Sequence, residues 1–385
     1  MSRILTLNSG SSSIKFAVYA VGDPPVELAE GKVDRLGSDA ASLTLAWQGT
    51  RTTTPIGQDD HQGVLRAILE ALRPVLSGAE VAGVGHRIVH GGPRFDAPAL
   101  LDDDTMAYLE GFAPFAPLHQ PYNLTAVRGA RLAFPGAVQL GCFDTALHRG
   151  QPWVNETFAL PRRFYDEGVR RYGFHGISYT YVAGELARLD PVAARGRTVV
   201  AHLGNGASMC ALRDGKSVDS TMGFSALEGL AMGTRCGQLD PGVVLYLLQQ
   251  RGMTPEAVTD LLYKQSGLKG LSGVSNDMRE LEAADTEASR AAIAYFVSRI
   301  RRELGALAAV LGGLDTLVFT AGIGENSALV RAQACAGMDW LGITLDAAAN
   351  AQSAPVISTG PVTVRVIPTD EELVIARAVN ARIDG

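Results

Sequence analysis

The chain has no apolar run near the ~18 residues that a membrane-crossing helix requires. Its first residues run straight into a strand pattern, without the basic start and apolar middle of a secretory leader. The expectation is a cytoplasmic protein with no membrane partner. Charge of one sign is also scarce: 34 Lys and Arg stand against 40 Asp and Glu, a net charge of −6. That excludes an electrostatic case for nucleic acid. Cysteine is rare, with Cys142, Cys210, Cys236 and Cys335 far apart and no CxxC pair. Free thiols of a reducing compartment fit this better than a disulfide framework or a zinc site. Two phosphate-binding signatures are missing as well: there is no GxxxxGK[ST] loop and no GxGxxG fingerprint.

What remains is an apolar, weakly charged chain of 385 residues, 46% hydrophobic and 19% charged. That length is too great for one core, so two domains are expected. Apolar runs at 3–8 and 13–20 read as a hairpin, followed by strands near 26–33 and 42–47. A helix pattern covers 59–72, with Val64, Ile68, Leu69 and Leu72 on one stripe. A strand at 81–89, a helix from Pro121 to about 134 and a strand at 137–143 complete the first half. The second half repeats the rhythm. Strands are expected at 197–203, 207–213 and 216–220, helices near 242–251, 255–264 and 286–311, and a buried strand at 315–320. Next come the turn AGIGEN, a helix from Ser327, a strand at 362–367 and a helix at 370–383. Strands interleaved with helices indicate the α/β class.

Two polar turns lie between apolar strands. Asn8-Ser9-Gly10-Ser11-Ser12-Ser13 with Lys15 can cradle an anion with hydroxyl, amide and ammonium donors, or can be an ordinary hairpin. His202-Leu203-Gly204-Asn205-Gly206 is the second such turn, where small residues let backbone N–H groups approach a phosphate. Ala321-Gly322-Ile323-Gly324-Glu325-Asn326 suits close approach of a flat ligand, with Asn326 and Ser327 as N-caps, or a plain βα turn. Arg87 in GHRIVHGG and Arg235 in MGTRCGQLDP are lone cations in glycine-rich company, and a guanidinium fork suits phosphoryl oxygens. Asp144 and Glu371 each follow a strand, placed either to face a cleft or to start a helix. His175 in YGFHG and His119 in APLHQP can be core residues or donors.

NSGSSSIKF, GHRIVHGG, APLHQPYN, CFDTALH, YGFHG, HLGNGAS, EGLAMGTRCG, FTAGIGEN and TDEE occur in this order over nearly the whole chain. Together they resemble the acetate kinase family, within the acetate and sugar kinase, Hsp70 and actin superfamily. The resemblance implies two duplicated ribonuclease H-like domains around a central cleft, 1–148 with 373–385 and 149–372, and a homodimer. It implies reversible phosphorylation of acetate by ATP to give ADP and acetyl phosphate, with Mg²⁺ (or Mn²⁺). By the same resemblance Asn8, Ser11, Lys15, Asp144 and Glu371 lie on the phosphate and metal side, with Asn8 and Glu371 holding the metal. Arg87 and Arg235 flank the transferring phosphoryl group, and His175 and His119 donate to it. His202, Leu203, Gly204, Asn205 and Gly206 form the second phosphate loop. Asp277, Met278, Arg279, Gly322, Ile323, Gly324 and Asn326 meet the nucleotide. Val89, Leu118 and Phe174, with Arg87, line the acyl pocket. Three positions depart from the family pattern: Gln238, Gln120 and Ala226 stand where Asp, Asn and, in some members, Pro are usual. The first two bear on local hydrogen bonding, the third on acyl chain length, with propionate or another short-chain acid as the alternative acceptor.

A carboxylate acceptor has a pKa of roughly 4–5 and is ionised at neutral pH. It needs no general base, which sets it apart from the hydroxyl of a sugar. The obstacle is charge repulsion against the γ-phosphate, which cations and positioned donors offset in line with the reacting bond.

Overall fold

The computed structural model describes residues 2–10, 13–58, 61–117 and 119–383. Two compact units emerge, Met1–Leu147 with Asp370–Gly385, and His148–Thr369. In the first unit β1 (Arg3–Ser9), β2 (Ser13–Ala20), β3 (Val26–Asp34), β4 (Ser42–Trp47) and β5 (Thr50–Pro55) form an antiparallel meander. After α1 (His61–Leu76) come β6 (Val81–Ile88), the short β7 (Ala99–Leu100), α2 (Gln120–Ala133) and β8 (Val138–Phe143). The sheet order is β5-β4-β3-β2-β1-β6-β8-β7, with β6 parallel to both β1 and β8.

The second unit contains α3 (Gly176–Leu189), β9 (Arg197–Leu203), β10 (Ala207–Arg213), β11 (Lys216–Ser220), α4 (Pro241–Gln249), α5 (Met278–Ala284) and α6 (Glu287–Leu311). It continues with β12 (Thr316–Thr320), α7 (Ala321–Asn326), α8 (Ala328–Cys335) and β13 (Thr363–Val366). Its sheet runs β11-β10-β9-β12-β13, antiparallel through the hairpins and parallel from β9 onward. Setting aside the strands that extend the first sheet, β3-β2-β1-β6-β8 and β11-β10-β9-β12-β13 share one order and one pattern of directions. The duplicated ribonuclease H-like fold is therefore written in the topology. Among the described residues no helix is long and apolar enough to cross a membrane. The four cysteines are free thiols, and burial pushes Cys142, Cys210 and Cys335 up to about 12.

The last helix, α9 (Glu371–Ile383), returns to the first unit and packs on β1 and β6. The first unit takes in residues 370–372 together with the segment from about 373 that the resemblance assigns to it. The physical reason is capping: the Asp370 side chain accepts from the Leu373 N–H at 2.8 Å, so these residues are the first turn of α9. Two further features depart from expectation. β5 carries no sequence signal because its residues are all exposed, with no buried face to set a period. AGIGEN is a turn of helix rather than a βα turn. It opens on Ala321 at φ +64°. Asn326 does not cap a helix there; its amide donates to the Gly322 carbonyl at 2.9 Å, and Ser327 alone caps α8.

Candidate active site

In the first unit three distant segments converge on the Arg87 guanidinium. Parallel pairing of β6 with β8 sets the strand ends side by side, so Arg87 on β6 meets Asp144 just beyond β8. Arg87 Nε donates to Asp144 Oδ1 at 2.9 Å and Nη2 to Oδ2 at 2.6 Å, a bidentate pair. Arg87 Nη1 donates to Asn8 Oδ1 at 3.1 Å, and Asn8 Nδ2 donates to Glu371 Oε2 at 3.2 Å. Burial pulls the Arg87 pKa down, but Asp144 and Glu371 outweigh it and hold the group above its ordinary value. The resemblance puts Asp144 on the metal side. Here both its oxygens accept from Arg87, and the residue is 1% exposed. Lys15 lies on β2, opposite Asn8 in the β1–β2 register, with its side chain exposed.

The same unit carries Val89, which the resemblance places on the acyl wall. Val89 is buried, and its N–H donates to Asn123 Oδ1 at 2.9 Å; Asn123 Nδ2 donates to the Ser9 carbonyl. Asn123 thus ties the serine turn to the Arg87 strand. Sequence reasoning misses it, although it is the last residue of APLHQPYN. His119 stands at the N-cap of α2. The unusual Gln120 is fully buried and satisfied: Oε1 accepts from His90 N–H at 3.2 Å, and Nε2 donates to the His90 and Leu109 carbonyls. Ser11 and Leu118, expected at the phosphate turn and the acyl wall, lie outside the described residues.

In the second unit the β9–β10 hairpin makes the turn Gly204–Gly206, closed by the Gly204 N–H donating to the Gly206 carbonyl at 3.0 Å. Leu203 anchors it in the core. A Cβ placed on Gly206 would sit 3.3 Å from His175 Nε2 and 3.9 Å from Arg235 Nη1, so that turn, that imidazole and that guanidinium are neighbours. His175 precedes α3 at φ +57° and stacks on His202, with ring centroids 4.2 Å apart. Arg235 Nη1 donates to the backbone carbonyl of Ala226 at 3.0 Å. Phe174 is 1% exposed. The departure Gln238 accepts from buried Arg299, which also pairs with Glu303.

Beside the turn opens a pocket of about 580 Å³, lined among others by Asn205, Asp277, Met278, Arg279, Gly322 and Ile323. This is within the range of ligand sites. Asp277 caps α5 and pairs with Arg279, whose backbone N–H donates to Asp277 Oδ1 at 2.9 Å. Those donors lower the Asp277 pKa and keep it charged. Gly324 is held from behind by a residue that the sequence alone does not single out. Arg331 is fully buried; Nη1 donates to the Gly324 and Glu325 carbonyls at 2.9 Å, and Nε to Asn350 Oδ1 at 2.7 Å. It fixes the C-terminal carbonyls of α7. An arginine inside an amphipathic helix gives no signal that it will point inward.

Two actin-like α/β units, one with an arginine held by carboxylates at the sheet's carboxyl edge and one with a glycine turn next to a pocket of ligand size, have the layout of a phosphotransferase. The family model described as the acetokinase family matches residues 3–377. The chain is 53% identical to the acetate kinase of Methylocella silvestris over 100% of this chain and 99% of that one. Among solved structures it is similar to Porphyromonas gingivalis acetate kinase (38% identity, TM-score 0.87, 98% of each chain) and to a propionate kinase from Francisella tularensis (33%, TM-score 0.92, 98% and 99%). The chain belongs to the acetokinase family, kinases that transfer phosphate to a carboxylate.

Proposed function

We propose that this chain phosphorylates acetate reversibly with ATP, giving acetyl phosphate and ADP by direct in-line transfer. The observation that carries the reading is the double engagement of Asp144 by Arg87. A hydroxyl acceptor needs a base, and Asp144, the carboxylate at this strand end, is committed to orienting a cation instead. A ready-ionised acid needs only the cation. In this reading Arg87 and Arg235 stabilise charge on the transferring phosphoryl group, with His175 and His119 as donors. Val89, Leu118 and Phe174 contact the acyl group. Asn8, Ser11 and Lys15 hold phosphate oxygens, as does the His202–Gly206 turn. Asp277, Met278, Arg279, Gly322, Ile323, Gly324 and Asn326 hold the nucleoside.

Among the described residues no cluster of three or more His, Cys, Asp or Glu could hold a metal by itself. Asn8 meets Glu371 through Nδ2 while its Oδ1 accepts from Arg87, so the Glu371 carboxylate is the hard oxygen donor at hand and Asn8 Oδ1 would join it on turning from Arg87; one or two such protein oxygens, with phosphate and water, are what Mg²⁺ takes. There it would supply charge neutralisation on the β- and γ-phosphates. A cytoplasmic homodimer is part of the same reading. The association into a dimer is supported by α4, whose sequence PGVVLYLLQ has no buried residue and leaves Val243, Leu245 and Tyr246 40–52% exposed.

Trapping the acyl phosphate with hydroxylamine tests the function. With ATP and Mg²⁺, acetate is expected to give hydroxamate, and its ranking against propionate and butyrate reads the pocket's chain length. Phosphorylation of glycerol with no hydroxamate from any acid would overturn the reading.

A further inference from the structure

Behind the two stacked imidazoles of the second unit run two short hydrogen-bond chains. His175 Nδ1 shares a hydrogen bond with Ser208 Oγ at 2.8 Å, and Ser208 Oγ shares a short one with the Tyr179 hydroxyl. His202 Nδ1 shares one with Ser178 Oγ at 2.9 Å, which meets Thr369 Oγ1 at 2.9 Å. Ser178 and Tyr179 lie three and four residues beyond His175, on the face of α3 beneath it. Ser208 and Tyr179 are fully buried. We propose that the Tyr179–Ser208 chain fixes His175 as a neutral imidazole with its proton on Nε2, so that Tyr179 and Ser208 are positioning residues of the phosphoryl transfer. The inference rests on the role given to His175 above.

Proton counting gives the direction. Each hydroxyl has one hydrogen to donate. A phenol, with a pKa of about 10, is the stronger donor, and an aliphatic hydroxyl is the better acceptor. Tyr179 therefore donates to Ser208, and Ser208 donates to His175 Nδ1. Occupied as an acceptor, Nδ1 leaves the ring proton on Nε2. Nε2 is the atom beside Gly206 in the phosphate turn. The Arg235 guanidinium lies near Gly206 and the His202 ring stacks on His175, and positive charge on either disfavours a second one on His175. A neutral imidazole can donate from one nitrogen only, so the relay decides whether the donor points at the phosphoryl group or away from it.

The backbone is fixed in the same way. His148 is buried, with Nε2 2.9 Å from the Phe174 carbonyl, Nδ1 2.8 Å from Ser217 Oγ, and its ring edge-on to Tyr179. Gly173, at φ +72°, has no room for a Cβ, which would lie 2.5 Å from the His148 ring. His175 thus enters α3 from a backbone that cannot swing.

The test uses the full-length protein with ¹⁵N-labelled histidine rings, His175 being assigned by the signal lost in His175→Asn. The wild type is expected to show His175 Nε2 as the protonated nitrogen and Nδ1 as the acceptor. Tyr179→Phe removes only the hydroxyl, and Ser208→Ala removes the link. Each is expected to mix the tautomers and lower kcat about tenfold to a hundredfold, as partners that orient a working imidazole do, with KM for ATP unchanged. If Ser208→Ala fails to fold, Tyr179→Phe carries the test alone. A proton on Nδ1 in the wild type, or an unchanged tautomer or unchanged kcat in the folded variants, overturns the relay. Full turnover in His175→Ala would instead remove the histidine's assigned role and leave the tautomer measurement standing.

Discussion

Arg87 and Arg235 look alike in the sequence, each a lone cation among glycines, yet the fold gives them different company. Arg87 is clamped by a carboxylate and an amide, whereas Arg235 donates to a backbone carbonyl and contacts the Met232 sulfur. The clamp on Arg87 is bidentate, so shape matters as well as charge. Replacing either arginine with alanine is expected to lower kcat by on the order of 10³ or more. Arg87→Lys is also expected to stay deficient, because an ammonium cannot span both Asp144 oxygens. Steady-state kinetics check this, and near wild-type turnover in Arg87→Lys would reduce the clamp to a simple charge. The low charge content makes these two residues legible. Asn123, Ser208 and Arg331 are not legible, because a polar residue becomes a positioning group only through neighbours far away in the chain.

At the scale of elements, periodicity locates most strands and the longest helices to within a few residues, but it does not announce α3 (Gly176–Leu189) or α5 (Met278–Ala284). It fails where a short segment has no buried face, as in β5, or takes its shape from a tertiary contact, as in α7. The docking of α9 on β6 is a case that no local pattern announces. β6 has glycine at 83 and 85, and a Cβ at Gly85 would come within 2.3 Å of Ile375 and 2.8 Å of Val379. These glycines let helix and sheet approach closely. Gly85→Ala is expected to cost about 1–3 kcal/mol through overpacking. Combined with Ile375→Ala, its cost is expected to shrink, since the two changes share one contact. Urea unfolding midpoints of the double-mutant cycle measure this, and strict additivity would show that the approach is not what fixes glycine there.

At the scale of the whole molecule, each unit buries a histidine that must stay neutral. Burial lowers His86, on β6, and His148, in the second unit, to about 4 each. In the unfolded chain both bind a proton near pH 6.5. Between about pH 6.5 and 4 the unfolded state therefore holds more protons, and stability falls as pH falls. Each histidine contributes a slope of roughly 1.4 kcal/mol per pH unit inside that window. The contribution is complete above pH 6.5 and is lost by about pH 4. Thermal midpoints measured across this window are expected to decline, and His148→Gln is expected to flatten the decline. A midpoint independent of pH there would mean that these rings are not held neutral.

The class of the fold, the order of the motifs and the isolation of two arginines among glycines are readable along the chain, because strand and helix periods and rare charges are local facts. What no local pattern carries is that Asp144 clamps Arg87, that Asn123 bridges the serine turn to the strand end after Arg87, and that Arg331 holds the carbonyls of α7. Those outcomes depend on hydrogen-bond geometry and close packing between residues as far apart as Asn8 and Glu371. Hydrogen bonds and packing act over a few ångströms of space, whatever the separation along the chain.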